Sequence, residues 1–157
     1  MPLIGVISDT HGLLRPKVLE IFKECELIVH AGDVGKPEVL EQLRSVCPVV
    51  AVKGNIDRDY LASSLKATEL INVDGFNLFV IHDISQLNPE PVNSVDIHAV
   101  IFGHSHKAAI RNSGELLYFN PGSAGPRRFS LPVTVGLLKI SKSSTVIEPE
   151  IIELPVE

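Results

Sequence analysis

At 157 residues the chain can bury a core of its own, and we expect residues 1–157 to form a single domain. Apolar residues make up 45% of the chain and the formal net charge is -5, so we expect no nucleic-acid binding and no attachment to a membrane surface. No apolar run approaches the ~20 residues of a membrane span. The N-terminal residues lack a basic n-region and the two cysteines lie far apart, so we expect no signal peptide and a cytoplasmic protein with free thiols.

The first third of the chain alternates between patterns typical of strands and of helices. Short apolar runs rich in β-branched residues predict strands that begin at Leu3, Leu27 and Pro48. Apolar residues at helical spacing predict one helix across Leu14–Phe22 and another that begins at Pro37. This order of elements predicts a parallel sheet with right-handed crossovers.

The rest of the chain predicts mainly strands. Asp74-Gly75 is a strong hairpin signal, and Asn112-Ser113-Gly114 indicates a second hairpin, whereas residues 85–94 are predicted to form a loop. The predicted strands are Glu69–Val73, Phe76–His82, Ile97–Phe102, Ala108–Arg111, Leu116–Phe119, Thr134–Ile140 and Thr145–Leu154. The fold class is therefore α/β, and two packed sheets with helices outside would accommodate both parts of the chain.

Side chains of the kind that bind metal ions follow the predicted strands. Those at or just beyond the C-terminal end of an apolar run are Asp9, Asp33, Asn55, His82 and His104. Because ligands bind where the carboxyl ends of strands converge, we expect these side chains to lie together. His11 and His106 come two residues after Asp9 and His104, and an extended backbone would point each such pair to one side.

These seven candidate ligands predict two metal ions rather than one. Oxygen and nitrogen ligands without a thiolate suit Mn²⁺, Fe, Co²⁺, Ni²⁺ or Zn²⁺. A single ion rarely needs seven protein ligands, whereas two ions that share a carboxylate would use them all. Two divalent ions and two aspartates leave the site positively charged, so it should favour an anion such as a phosphoryl group.

Each candidate ligand also has a commoner structural explanation when it is considered alone. An aspartate after a strand is most often a helix cap or a turn residue, Asn55 could adopt a left-handed turn, and His82 could be a core histidine. These explanations do not account for the shared position at the ends of strands. We expect His30 to orient a ligand or to pack in the core, and His98 to be structural or exposed.

In their order along the chain, these residues resemble the five motifs of the calcineurin-like metallophosphoesterases. The motifs are Asp9-Thr10-His11, Gly32-Asp33, Gly54-Asn55, His82 and Gly103-His104-Ser105-His106. The segment Asn120-Pro121-Gly122-Ser123 and the β-rich C-terminal part resemble the small phosphodiesterase branch of that family. The resemblance implies a four-layer αββα sandwich of two mixed β-sheets flanked by helices.

The resemblance also implies a reaction and a set of ligands. Two divalent metal ions, with manganese first and nickel, iron, cobalt or zinc as alternatives, would activate a water for in-line attack on a small phosphoester, a phosphodiester in preference to a monoester. One ion would be held by Asp9, His11, Asp33 and His106. The other ion would be held by Asp33, Asn55, His82 and His104, with Asp33 as the bridge.

The chain departs from the family pattern at two positions. Many members have a histidine after the asparagine, which is thought to protonate the leaving group, whereas this chain has Ile56. Asp57 could substitute as the acid, so the predicted catalytic residues are Asp33, Asn55 and Asp57. Asp83 replaces the glycine that usually follows the first histidine of the fourth motif.

The sequence leaves two alternatives open. Arg127 and Arg128 could clamp substrate oxygens or could form a solvated basic pair. A retromer subunit of the same fold shares the His-x-His and Asn-Pro-Gly-Ser segments and is regarded mainly as a scaffold, so a catalytically weak scaffold is the alternative function. Asp33 and Asn55 are kept here, which favours an enzyme over a scaffold and over a metal site that only stabilises the fold. Edge strands could support a homodimer or a higher homo-oligomer.

Overall fold

The computed structural model describes residues 2–87, 96–128, 130–141 and 146–155. Its strands are β1 (Leu3–Ile7), β2 (Leu27–His30), β3 (Val49–Ala51), β4 (Thr68–Val73), β5 (Phe76–Ile81), β6 (Ala99–Ile101), β7 (Ala109–Ser113), β8 (Leu116–Asn120), β9 (Thr134–Ser141) and β10 (Val146–Glu153). Its helices are α1 (Pro16–Ile21), α2 (Pro37–Arg44) and α3 (Tyr60–Ser64), with a short 3₁₀ turn at Ile84–Gln86.

The strands form two mixed sheets, which confirms the predicted fold class. The first sheet has the order β10-β9-β1-β2-β3, and the second has the order β4-β5-β6-β8-β7. Strands β1, β2 and β3 are parallel, as the alternation of strands and helices predicted, while β9 returns antiparallel beside β1. In the second sheet β5, β6 and β8 are parallel, and hairpins add β4 and β7 at its two edges.

Alternation along each strand divides the apolar side chains between two faces. In β1, Ile4 and Val6 pack against the second sheet, while Ile7 packs against the helices. Leu78 and Val80 of β5 meet Ile4 and Val6 in the core between the sheets. Each of these side chains is fully buried, which is worth roughly 1.5–3 kcal/mol per side chain relative to exposure.

Helices cover the outer face of the first sheet. Pro16 and Pro37 stand at the first turns of α1 and α2, where a missing N–H costs no hydrogen bond. Phe22, just after α1, lies against Gly5, where a Cβ atom would come within 2.8 Å of the ring. The short helix α3 was not predicted because five residues are too few to show a helical period. Its Leu61 packs in the apolar cluster that also contains Ile7 and Phe22.

The outer face of the second sheet carries a smaller apolar cluster. Phe79, Ile81 and Val100 form it together with Ile84 and Leu87 at the 3₁₀ turn. Part of the predicted loop at 85–94 and the first residue of the predicted strand Thr145–Leu154 fall outside the described residues. None of the helices in the described part of the chain has the length and apolar character needed to cross a membrane.

Candidate metal centre

The carboxyl ends of five strands bring the seven predicted ligands to one edge of the sandwich. Six of them form two groups in which the ligand atoms lie within 4.8 Å of one another. The first group is Asp9, His11 and His106, and the second group is Asp33, His82 and His104. Asn55, after β3, adjoins the second group, because its Oδ1 is 3.1 Å from His82 Nε2.

Asp9 follows β1, and its two carboxylate oxygens have different surroundings. Oδ2 accepts hydrogen bonds from the Ser8 hydroxyl at 2.6 Å and from the backbone N–H of His104 at 3.0 Å. Oδ1 is buried and finds no hydrogen-bond donor among the described residues. The imidazole nitrogens that face Oδ1 are Nε2 of His106 at 3.4 Å and Nε2 of His11 and His82, each at 3.9 Å.

Asp33, after β2, lies between the two groups. Its Oδ1 accepts a hydrogen bond from the backbone N–H of Ile56 at 3.0 Å. Its Oδ2 is 3.6 Å from Nε2 of His11 in the first group and 3.3 Å from Nε2 of His82 in the second group. Burial disfavours the charged form of Asp33, but His82 and the Ile56 amide outweigh it and hold the pKa of Asp33 at about 2.

These separations fit a metal centre better than a hydrogen-bonded cluster. Two ligands that each lie ~2.1 Å from a tetrahedral ion stand about 3.4 Å apart, which is close to the distances around Asp9 Oδ1 and Asp33 Oδ2. In the part of the chain that the structure describes, His11 Nε2 is also buried without a hydrogen-bond partner. Unpaired buried polar atoms are costly, and a divalent cation would satisfy those that converge here.

The amide of Asn55 lies against Asp33 and His82, where it could bind a cation through its oxygen or donate hydrogen bonds through its nitrogen. Its Oδ1 faces the two carboxylate oxygens of Asp33 at 3.1 and 3.2 Å, so that acceptors face acceptors. A cation between them would stabilise this orientation. Without a cation, exchange of the amide oxygen and nitrogen would let the nitrogen donate to Asp33.

His82 is held with one nitrogen towards the site. Its Nδ1 donates to the backbone carbonyl of Ala31 at 2.7 Å, which leaves Nε2 facing Asp33. The close fit needs a glycine at position 32, because a Cβ there would lie 2.6 Å from His82 Nδ1. Burial lowers the pKa of His82, but Asp33, Asp9 and the Ala31 carbonyl together raise it above the ordinary histidine value.

The backbone of the ligand loops differs from the prediction. The expectation of an extended backbone was wrong: φ is 55° at Asp9, 47° at His11, 73° at His104 and 64° at His106, all in the left-handed region. Asp9 and His11 still meet in the first group, whereas His104 and His106 diverge into different groups. The His-x-His segment therefore contributes to both groups.

Asp57 joins two of the ligand loops. Its Oδ2 accepts hydrogen bonds from the backbone N–H groups of Val34 and Gly54 at 3.2 and 2.8 Å, and its Oδ1 accepts one from Gly35 at 2.9 Å. Three of the about four lone-pair sites of this buried carboxylate are therefore filled by backbone N–H groups. The geometry therefore does not support the predicted acid role, and Asp57 is better described as the side chain that holds the loop after β2 to the loop after β3.

The buried side chain of His30 holds the loops after β1 and β2 through hydrogen bonds. Its Nδ1 accepts from the backbone N–H of Gly32 at 3.1 Å, so its Nε2 donates to the Thr10 hydroxyl at 3.0 Å, which in turn donates to the carbonyl of Val34. Complete burial lowers the pKa of His30 to about 4 and keeps the ring neutral. As predicted, His30 is a buried residue that orients groups around the site.

Sequence reasoning noticed the segment at residues 120–123 without assigning it a place in the site. Asn120 donates to the carbonyl of Gly103 and to the Ser105 hydroxyl, each at 3.2 Å, and so holds the His-x-His loop. The hydroxyl of Ser123 donates to the carbonyl of Asp9 at 3.1 Å. The signal available in the sequence was the position of Asn120 at the end of a strand, as for the other site residues.

The remaining residues singled out in the sequence lie in different places. His98 Nδ1 accepts a hydrogen bond from the backbone N–H of Asn77 at the opposite end of the strands, in line with the expected structural role. Arg127 donates to the carbonyl of Leu131, whereas Arg128 lies near the site. Burial lowers the pKa of His106, and the positive charge of Arg128 adds to that effect.

Hydrogen bonds from Ser85 lower the pKa of Asp83, whose Oδ2 is 3.8 Å from His104 Nε2.

Comparisons with known proteins identify the family of the chain. The family model of the calcineurin-like phosphoesterase superfamily domain matches residues 3–143. A probable metallophosphoesterase of Methanothermobacter thermautotrophicus is 34% identical over 150 residues, with 88% of this chain and 86% of the relative covered. The phosphodiesterase YfcE of Escherichia coli K12 is 30% identical over 155 residues, with 83% and 84% covered. The chain therefore belongs to the calcineurin-like phosphoesterase superfamily.

The fold is also that of Vps29. The crystal structure of Chaetomium thermophilum Vps29 superimposes with a TM-score of 0.78 at 16% identity, covering 98% of this chain and 97% of that chain. At this identity the likeness shows a shared fold and carries no information about function.

Proposed function

We propose that this protein is a phosphodiesterase that works with two divalent metal ions, manganese being the first choice. The observation that carries the proposal is the position of Asp33, whose Oδ2 faces His11 of the first group and His82 of the second group. A carboxylate placed in this way can serve two ions at once. In this proposal one ion is held by Asp9, His11, Asp33 and His106, and the other by Asp33, Asn55, His82 and His104.

The protein contributes fixed ligand positions to this reaction. Two such ions, when bound, would supply Lewis acidity that activates water and offsets the negative charge of a phosphoryl group. The bonds to Asp9 Oδ2 and Asp33 Oδ1 leave the other oxygen of each carboxylate turned to the site. The bond from His82 to Ala31 fixes the ring so that its Nε2 lone pair faces Asp33.

The surroundings favour an anionic substrate with a good leaving group. Ile56 stands where many family members have a proton donor, and it has none to give. Both oxygens of Asp57 are occupied by backbone amides. A leaving group that departs as a stable anion, such as a nitrophenolate, should therefore react best. A relative named a phosphodiesterase supports the preference for diesters.

The variant Asp33→Asn tests the proposed bridge. Loss of one carboxylate oxygen should lower kcat/KM for bis(p-nitrophenyl) phosphate with Mn²⁺ by about 100-fold or more. A matched control is Asp96→Asn, which removes the same charge from a carboxylate that is 93% exposed and paired with His98 at the far end of the strands. The control should stay within about twofold of the wild type. Undiminished turnover by Asp33→Asn would show that the ligand assignment is wrong.

A scaffold function is the second candidate, and one observation favours it. Ile56 stands where many family members have a proton donor, and its side chain has no proton to give. The two functions differ in one result: folded protein that retains two Mn²⁺ ions and hydrolyses neither a chromogenic diester nor a monoester would support the scaffold.

We further propose that residues 1–157 act as one domain in the cytoplasm on a small phosphoester. The free cysteines Cys25, which is buried, and Cys47, which is half-buried, support a reducing compartment.

A further inference from the structure

A cavity of about 320 Å³ opens beside the second group. Asn55, His82 and His104 form one side of it. The other lining residues include Thr68, Ile81, Asp83 and Gln86. Its volume is at the lower end of the range for small-molecule sites, which is enough for one substituent of a small phosphoester.

Asp83 gives the wall of this cavity a fixed negative charge. Its Oδ1 accepts hydrogen bonds from the Ser85 N–H at 3.0 Å and from the Ser85 hydroxyl at 2.8 Å. These bonds orient the carboxylate, whose Oδ2 lies 3.8 Å from His104 Nε2. The side chain is 24% exposed, so solvent screens its charge only in part.

Asp83 follows His82 directly, at a position where the family pattern usually has a glycine and therefore no side-chain charge. The cavity is also lined by Thr68 and Gln86, whose side chains are polar and uncharged. Asp83 is therefore the only formal negative charge among the lining residues named for this cavity.

We propose that this cavity receives the second ester substituent of a phosphodiester, neutral or cationic, and that Asp83 selects diesters against monoesters. This inference rests on the proposed function. A diester is a monoanion at neutral pH, whereas a monoester approaches a dianion. Repulsion by Asp83 grows with the charge of the substrate, so the monoester is disfavoured more strongly. A cationic substituent in the cavity would instead be attracted.

The test compares three chromogenic substrates in wild type and in Asp83→Asn, both loaded with Mn²⁺. They are bis(p-nitrophenyl) phosphate, p-nitrophenyl phosphate and p-nitrophenyl phosphorylcholine, which release the same nitrophenolate. Partly exposed charge pairs are typically worth up to about 1 kcal/mol, so the diester-to-monoester ratio of kcat/KM should fall about three- to fivefold in the variant. In the variant, kcat/KM for the phosphorylcholine diester relative to bis(p-nitrophenyl) phosphate, which carries no cationic substituent, should fall by a similar factor.

Two controls separate the charge from other effects of the substitution. Asparagine keeps an Oδ1 acceptor for Ser85, so the turn at Ile84–Gln86 is retained. Ser85→Ala removes the hydroxyl hydrogen bond to Asp83 but keeps the carboxylate charge and the backbone N–H bond that orients it, so it should keep the wild-type ratio. Asp96→Asn removes a remote charge and should also keep the ratio. Bound Mn²⁺ per chain is measured in every sample.

The outcomes distinguish this inference from the proposed function. If the wild type holds two ions and hydrolyses none of the three substrates, the proposed function fails. If the wild type hydrolyses the diester but Asp83→Asn keeps the wild-type ratio, only the role of Asp83 is overturned. An equal loss on all three substrates, or a ratio change reproduced by Ser85→Ala, would also overturn the charge mechanism.

Discussion

In several residues of the site, one polar atom is hydrogen-bonded to the surrounding protein and another faces the candidate metal centre. Asp9 and Asp33 each use one oxygen to accept backbone or hydroxyl hydrogen bonds and leave the other facing imidazole nitrogens. His82 does the same with its two ring nitrogens. Because the anchored atoms fix the orientation of the remaining ones, the site is arranged before any substrate arrives.

His30 should make stability depend on pH. Its pKa is lowered to about 4, whereas in the unfolded chain histidine titrates near 6.5. Below pH 6.5 the unfolded state binds a proton that the native state does not, so the native state loses stability as pH falls towards 4. The loss should be on the order of 3 kcal/mol. Urea unfolding of wild type and His30→Gln between pH 7.5 and 4.5 measures it, because the other titrating groups are the same in both.

The stability difference between wild type and His30→Gln should shrink across this range. A difference that is constant with pH would contradict the neutral, buried state of His30.

At the scale of elements, the loops after the strands have backbone conformations that could not be predicted from the sequence. Strand ends and hairpins were predictable, because apolar runs and the Asp74-Gly75 turn, with φ of 48° and 90°, follow local rules. The left-handed backbone at Asp9 and His11 was not predictable, since nothing local marks it. Such conformations cost about 1–2 kcal/mol for residues with side chains, and aspartate and histidine tolerate them better than most.

Longer-range contacts impose these loop conformations. The backbone N–H of His11 donates to the carbonyl of Asp33, so the loops after β1 and β2 run side by side beyond the strands. A Cβ at Gly54 would overlap Asp33 Oδ1, so the loop after β3 can approach only with a glycine there. The convergence of the candidate ligands at one edge was therefore predictable from sequence, but the way they are held depends on contacts between distant segments.

Asp57→Ala tests whether Asp57 holds these loops or donates a proton. Three backbone N–H groups would lose their acceptor, so we expect the free energy of unfolding to fall by about 2–4 kcal/mol and Mn²⁺ affinity to fall with it. Urea unfolding and a metal titration measure both, and Asp57→Asn, which keeps one acceptor oxygen, should lose less. Unchanged stability and metal affinity with a reduced kcat would instead restore the acid role.

At the scale of the whole molecule, the site joins the two sheets. The first group draws on loops after β1 and β6, and the second group on loops after β2, β5 and β6. A metal ion bound there would connect both sheets in the native state and has no such site in the unfolded chain. Stability should therefore depend on the metal as well as on the apolar core.

Thermal unfolding measures this coupling. Free Mn²⁺ at 100 times its Kd should add about 2.7 kcal/mol per site and raise Tm by roughly 5–10 °C for a chain of this size. The variant Asp33→Asn should show at most half of the shift. An equal shift in that variant would mean that Mn²⁺ stabilises the protein from some other place.

The most direct test of the account is the rate of bis(p-nitrophenyl) phosphate hydrolysis by metal-stripped protein as a function of Mn²⁺ bound per chain. If Asp33 serves two ions, there should be no turnover without metal and the rate should rise as the second ion binds, because Asp33 faces both groups. Full activity with one ion per chain, or no activity in folded protein that holds two, would contradict it.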